Sequence, residues 1–197
     1  LRTYTPFLNM RTELENPIFG ILVGTAFTAL IQSSSAFTGI IIVLAQQGFL
    51  TLEAGIPLIF GANIGTCVTA ALASINAGRD AKRVALAHTM FKVIGVVAAI
   101  AFIPLLAKLV QNISPGGIID TDDQTALAQF IPRQIANAHT VFNVSLTLIF
   151  LPFTGLFAKL IMRMLPDRIE DETVRYDTRF LEPSLLNAPA LALNLAK

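Results

Sequence analysis

Four adjacent polar residues, Gln32-Ser33-Ser34-Ser35, interrupt an apolar stretch that runs from Pro17 to Leu50. Phe19, Ile21, Leu22, Val23, Phe27, Leu30 and Ile31 precede them; Phe37, Ile40, Ile41, Ile42, Val43 and Leu44 follow. Burying an unpaired hydroxyl or amide costs a few kcal/mol, so these groups require partners: protein, water, an ion or a substrate. The apolar arms 17–31 and 36–50 hold 15 residues each. As helices they would be about 22 Å long, short of a hydrocarbon core of about 30 Å. A single helix through the serines would measure about 50 Å and would need strong tilt. A re-entrant hairpin over 17–50, folding at Gln32–Ser35, fits the lengths better. Serines cap helices well, and irregular backbone is tolerated at membrane depth where it lines a protein cavity. The hairpin is the preferred reading and the tilted helix the alternative.

Composition agrees with a membrane setting. The chain is 54% hydrophobic and 14% charged, against about 25% charge in a soluble domain. Mean hydropathy is +0.66. The charges gather in short segments between apolar runs, the pattern of an all-α polytopic membrane protein. A net charge of +1 argues against a nucleic-acid partner. One cysteine, Cys67, excludes an internal disulfide and a Cys-based zinc site; in its apolar surroundings it reads as a small buried thiol.

Residues 1–16 read as an amphipathic lead-in, and Asn16-Pro17 as a helix start. Transmembrane helices are expected over 51–168. The first crossing, 55–75, contains Gly61-Ala62-Asn63-Ile64-Gly65-Thr66-Cys67-Val68-Thr69. Gly weakens a helix by about 1 kcal/mol relative to Ala, and a Gly/Asn interruption is the pattern of a discontinuous transmembrane helix. The competing explanation is small-residue packing, since Gly61 and Gly65 have GxxxG spacing; it accounts for the glycines but not for Asn63.

Two further transmembrane segments are expected at 84–110 and 135–165, the latter kinked at Pro152. The turn before the first carries Arg79, Lys82 and Arg83, and the end of the second carries Lys159, Arg163 and Arg168. The intervening loop 111–125 carries Asp120, Asp122 and Asp123 without Lys or Arg. The positive-inside rule puts both basic regions in the cytoplasm and the acidic loop outside. The feet of the hairpin then face outside. Residues 169–197 read as a charged cytosolic linker that becomes apolar and helical after Pro183. The chain therefore reads as part of a longer protein. Ala87-His88-Thr89-Met90-Phe91-Lys92-Val93 recurs as Ala138-His139-Thr140-Val141-Phe142-Asn143-Val144.

Gln32-Ser33-Ser34-Ser35-Ala36 followed by Gly61-Ala62-Asn63-Ile64-Gly65-Thr66 resembles the bacterial sodium/phosphate cotransporter family over about residues 16–165. The two Ala-His-Thr-x-Phe elements resemble that family as well, and Thr178 to Leu195 is similar to its junction with a PhoU-like helical domain. The resemblance implies one inverted-repeat unit, the second, in the bacterial inner membrane. It further implies inorganic phosphate and sodium as partners, and a missing first repeat or a second protomer to complete the site. Two positions depart from the pattern. Cys67 stands where Thr is usual, and Lys92 where the parallel element, and commonly the family, has Asn.

The residues themselves suit this chemistry. Phosphate needs N–H and O–H donors. Ser33, Ser34, Ser35 and Ala36 supply them at a helix N-terminus, which carries about half a positive charge, with Asn63 nearby. Sodium needs a cage of oxygens with little charge, and Gln32, Ser33, Asn63, Thr66 and Thr69 can form one. Lys92 is either a snorkelling or paired lysine or a charge in the translocation core. His88 and His139 read as interhelical hydrogen-bonding groups, with a role in pH dependence as the alternative; Arg133 reads as an interfacial anchor, with attraction of anions as the alternative. Two other functions compete. An intramembrane serine hydrolase would pair Ser34 with His88 or His139, but needs an oriented base and an oxyanion hole. A non-transporting membrane sensor would bind substrate without moving it.

Overall fold

A computed structural model describes residues 13–14, 16–117 and 124–167. Nearly all of the expected lead-in 1–16, the three aspartates of the acidic loop and the linker 169–197 lie outside the described residues. Among the described residues every regular element is helical.

Helix α1 spans Pro17–Ile31. Asn16 Oδ1 accepts from the N–H groups of Ile18 (3.0 Å) and Phe19 (3.3 Å), satisfying donors that have no partner inside the helix. Gln32 ends it in the left-handed conformation, φ 59°, with its N–H on the Thr28 carbonyl at 2.7 Å. Ser33 is extended and caps helix α2, Ser34–Gln46. The Phe27 and Phe37 rings stack with centroids 5.9 Å apart; ten residues of unbroken helix would hold them about 15 Å apart. The chain therefore folds back at Gln32–Ser33, and the single long helix is excluded. The second arm begins earlier than 36 because Ser33, rather than a later serine, supplies the cap.

Helix α3 spans Leu52–Ser74, 23 residues, with Thr51 at its N-cap, and is about 34 Å long. It is continuous, which corrects the expected discontinuous crossing at 55–75. The glycines pack instead of breaking. Gly20 lies on Pro57, Gly24 on the Leu58 carbonyl and Gly61, and Gly65 on Thr25 and Thr28. A Cβ on Gly24 or Gly61 would run into the partner's backbone. These pairs rise together in number, so α1 and α3 run in the same direction, held at small-residue distance. Thr25 Oγ1 donates to Ile21 O of its own helix at 2.7 Å and lies 3.2 Å from Gly61 O across the contact.

The expected segment 84–110 is also corrected. It divides into α4, Arg79–Ile100, and α5, Ile103–Ile113. Pro104 has no N–H to continue the ladder of α4, and it sits in the first turn of α5 where none is needed. Helix α6 spans Gln124–Phe150, starting before the expected 135, and the break expected at Pro152 is a 3-10 turn, Leu151–Phe153, leading into α7, Thr154–Met164.

Among the described residues, three stretches are long and apolar enough to cross a membrane: Leu52–Ser74, Arg79–Ile100 and Ala128–Met164. Over the most apolar 18 residues of each, 56% of the first is buried inside the protein against 17% and 11% of the others, so α3 is the central helix and the rest surround it. Outward-facing apolar side chains such as Leu30, Val84 and Leu156 are 80%, 69% and 70% exposed, a surface suited to lipid. Arg83 joins the start of α4 to the end of α7. Its guanidinium donates to Leu165 O at 2.9 Å and pairs with Asp80 and Asp167 at 3.0 and 2.7 Å. The two basic regions thus lie at one end of the bundle.

Candidate functional site

The tip of the α1–α2 turn is built from Gln32 to Ala36. Ser33 Oγ accepts from Ala36 N–H and lies 3.2 Å from Ser35 Oγ. Gln32, Ser35 and Ala36 are exposed; Ser33 and Ser34 are half-buried. Ala36 N–H is thus already held, and the N–H groups of Ser34 and Ser35 are the first-turn donors that α2 cannot satisfy from within. One turn or so from the tip on each arm, Thr28 and Thr38 are buried with hydroxyls that have no hydrogen-bond partner among the described residues. Such orphans are uncommon and call for an explanation.

The sequence-predicted residues of α3 lie on two levels. Since Thr28 meets Gly65 and α1 runs parallel to α3, Gln32 falls at the level of Thr69. Thr66 Oγ1 donates to Asn63 O and Thr69 Oγ1 to Thr66 O, each at 2.7 Å. A hydroxyl whose proton is committed to a carbonyl turns its lone pairs outward, which suits a cation and not an anion. Asn63 lies deeper and is buried. Its Nδ2 donates to Ile59 O at 3.0 Å, and its Oδ1 accepts from Lys92 Nζ at 2.7 Å.

Lys92 also donates to Asn143 Oδ1 at 2.9 Å. It therefore ties α4 to both α3 and α6, and is a paired lysine rather than a snorkelling one. Asn143 was missed by sequence reasoning about the site, although the internal repeat places it at the position equivalent to Lys92. Cys67 is buried, with its thiol 3.9 Å from Asn63 O. His88 lines an apolar groove of 350 Å³ together with Val84, Phe91, Phe150 and Phe157. His139 accepts at its backbone carbonyl from Asn143 Nδ2, 2.9 Å. Among the described hydrogen bonds, the serines of the tip bond one another and α2 backbone, not a histidine.

A serine-capped break between two short apolar helices, laid along a glycine-packed helix long and apolar enough to cross a membrane, with a buried polar cluster beside it, defines an all-helical protein of the membrane class. The chain belongs to the Na+/Pi-cotransporter family, whose family model matches residues 7–114. "Uncharacterized protein YqeW" of Bacillus subtilis is 34% identical over 74% of this chain and 43% of its own length. "Putative inorganic phosphate export protein YjbB" of Salmonella typhimurium is 28% identical over 87% of this chain and 29% of its own. Human "Sodium-dependent phosphate transport protein 2B" is 41% identical over 63 residues, 32% of this chain and 9% of its own. The chain thus spans less than half the length of these relatives. No solved structure matches it significantly.

Proposed function

We propose that this chain is one inverted-repeat unit of a sodium-coupled phosphate symporter of the bacterial inner membrane, with the α1–α2 turn as its re-entrant substrate hairpin. A first repeat or a second protomer completes the site, and residues 169–197 lead into a PhoU-like domain. The observation that carries this reading is the helix break at Gln32–Ser33, which sets the N-terminus of α2 at the tip of the turn together with Ser33, Ser34 and Ser35. Phosphate is held by the N–H and hydroxyl groups of Ser34 and Ser35, with Ser33 and Ala36 joining when their mutual hydrogen bond opens. Sodium is held by oxygens of Gln32, Ser33, Thr66 and Thr69. Asn63, expected in both sets, is engaged elsewhere in this chain: its Nδ2 donates to Ile59 O and its Oδ1 accepts from the Lys92 ammonium. The orphaned hydroxyls of Thr28 and Thr38 support an ion close to the tip.

Magnitudes indicate why transport would be coupled. A helix N-terminus stabilises an anion by about 0.3–1 kcal/mol, up to about 2 when partly buried. A sodium ion about 4 Å from the anion contributes about 4 kcal/mol at an effective dielectric constant of 20. The attraction of the ion, before desolvation is subtracted, exceeds that of the helix end, so the two are expected to bind together. The basic end formed around Arg83 faces the cytoplasm. Because α3 runs toward that end and α1 is parallel to it, both feet of the hairpin face outside.

The test is uptake of radiolabelled phosphate into proteoliposomes, with the sodium gradient directed inward, outward or absent. Flux that follows the sodium gradient and is abolished by Ser34→Ala is expected. Flux indifferent to sodium would remove the coupling. Phosphate binding without flux, for a protein carrying both repeats, would favour a sensor. The relative named for phosphate export makes outward movement the second reading of direction, and the outward gradient decides between them.

A further inference from the structure

Lys92 is a half-buried ammonium with no carboxylate against it among the described residues, where the ion pairs all involve Arg83. Its partners are instead two neutral amide oxygens, Asn63 Oδ1 at 2.7 Å and Asn143 Oδ1 at 2.9 Å, on two other helices. Both amides are fixed in the same way. Asn63 Nδ2 donates to Ile59 O and Asn143 Nδ2 to His139 O, each four residues back, at 3.0 and 2.9 Å. These bonds leave both Oδ1 atoms directed at one point between α3, α4 and α6. A lysine kept for structure is ordinarily neutralised by an acid; a monovalent cation is ordinarily held by neutral oxygens fixed in advance. This arrangement is the second kind. The internal repeat agrees, because the residue equivalent to Lys92 is Asn143, itself one of the two oxygen donors.

We propose that Asn63 and Asn143 form a monovalent-cation site and that the Lys92 ammonium is its tethered occupant, standing in for one coupling sodium. This deepens the reading of the chain as a sodium-coupled transporter and rests on it for the word "coupling". The site itself rests on geometry alone. The protein then couples one sodium fewer than it would with a neutral residue at position 92. The remaining sodium oxygens are those at the level of the tip: Gln32, Ser33, Thr66 and Thr69.

The test is thermal unfolding of the purified protein in detergent, without phosphate, as sodium chloride replaces choline chloride at constant ionic strength. A ligand bound only by the folded state stabilises it as RT ln(1 + [L]/Kd), so at high sodium the slope against ln[Na+] counts the ions bound. Lys92→Ala and Lys92→Asn are expected to gain a slope of about one ion over the wild type. Lys92→Arg, which keeps a charge there, is expected to gain none. Equal slopes in all four proteins would overturn the proposal. So would neutral variants that fail to fold in sodium while Lys92→Arg folds, because sodium then cannot replace the ammonium. Folding of the neutral variants in sodium but not in choline would support it. Phosphate is absent throughout, so a gain in slope from a protein that moves no phosphate would sink the transport reading and leave the cation site standing.

Discussion

The two copies of the seven-residue repeat, 87–93 on α4 and 138–144 on α6, share Ala-His-Thr-x-Phe and differ most at their sixth position. There Lys92 meets its own counterpart, Asn143, at 2.9 Å. The phenylalanines have also diverged in environment. Phe142 is 6% exposed and lies 4.4 Å, centroid to centroid, from Phe60 of the central helix. Phe91 is only half-buried and meets Phe150 edge-on at 4.9 Å. Farther along, Gly95 makes room for Leu146, three residues past Lys92 and Asn143 respectively; a Cβ on Gly95 would come within 2.5 Å of Leu146 Cδ1. The α6 copy buries its phenylalanine against α3. The other carries charge and faces an apolar groove. A repeat supplies two equivalent positions, and it is their divergence, Lys against Asn, that brings an ammonium and an amide oxygen together.

Two substitutions break or sharpen that comparison. Phe142→Ala is expected to destabilise the protein by about 3 kcal/mol, the usual scale for a buried aromatic, and Phe91→Ala by clearly less. Unfolding in detergent measures both, and equal losses would show that the copies pack alike. Asn143→Leu is expected to cost less, about 2 kcal/mol, the scale of a hydrogen bond to a charged group, because Lys92 keeps Asn63 as a partner. If Asn143→Leu left stability unchanged, the contact between the copies would be incidental.

The tip of the hairpin was legible because polar residues stand out in an apolar run, and a serine after a break can cap a helix. The continuity of α3 was not. Glycine looks the same in sequence whether it breaks a helix or lets a neighbour approach, and only Gly20 and Gly24 on the partner helix, at matching spacing, distinguish the two. The break after α4 was hidden because Ala101, Phe102 and Ile103 are as apolar as their surroundings; Pro104 was the one clue. The fold of Lys92 onto two amides was half-legible. The repeat named the pair, but whether the two positions touch depends on how α4 and α6 pack. Thr28 and Thr38 read as parts of apolar arms, since a threonine in such a run usually bonds its own helix.

The proposed meeting point of phosphate and sodium is the tip between Gln32 and Ala36. Its most direct test is equilibrium binding of radiolabelled phosphate to the protein as sodium replaces choline, for the wild type and Ser34→Ala. Phosphate affinity is expected to rise with sodium by tenfold or more, since each factor of ten requires only about 1.4 kcal/mol, and to fall strongly in Ser34→Ala. Phosphate affinity that ignores both sodium and the loss of the Ser34 hydroxyl would contradict it.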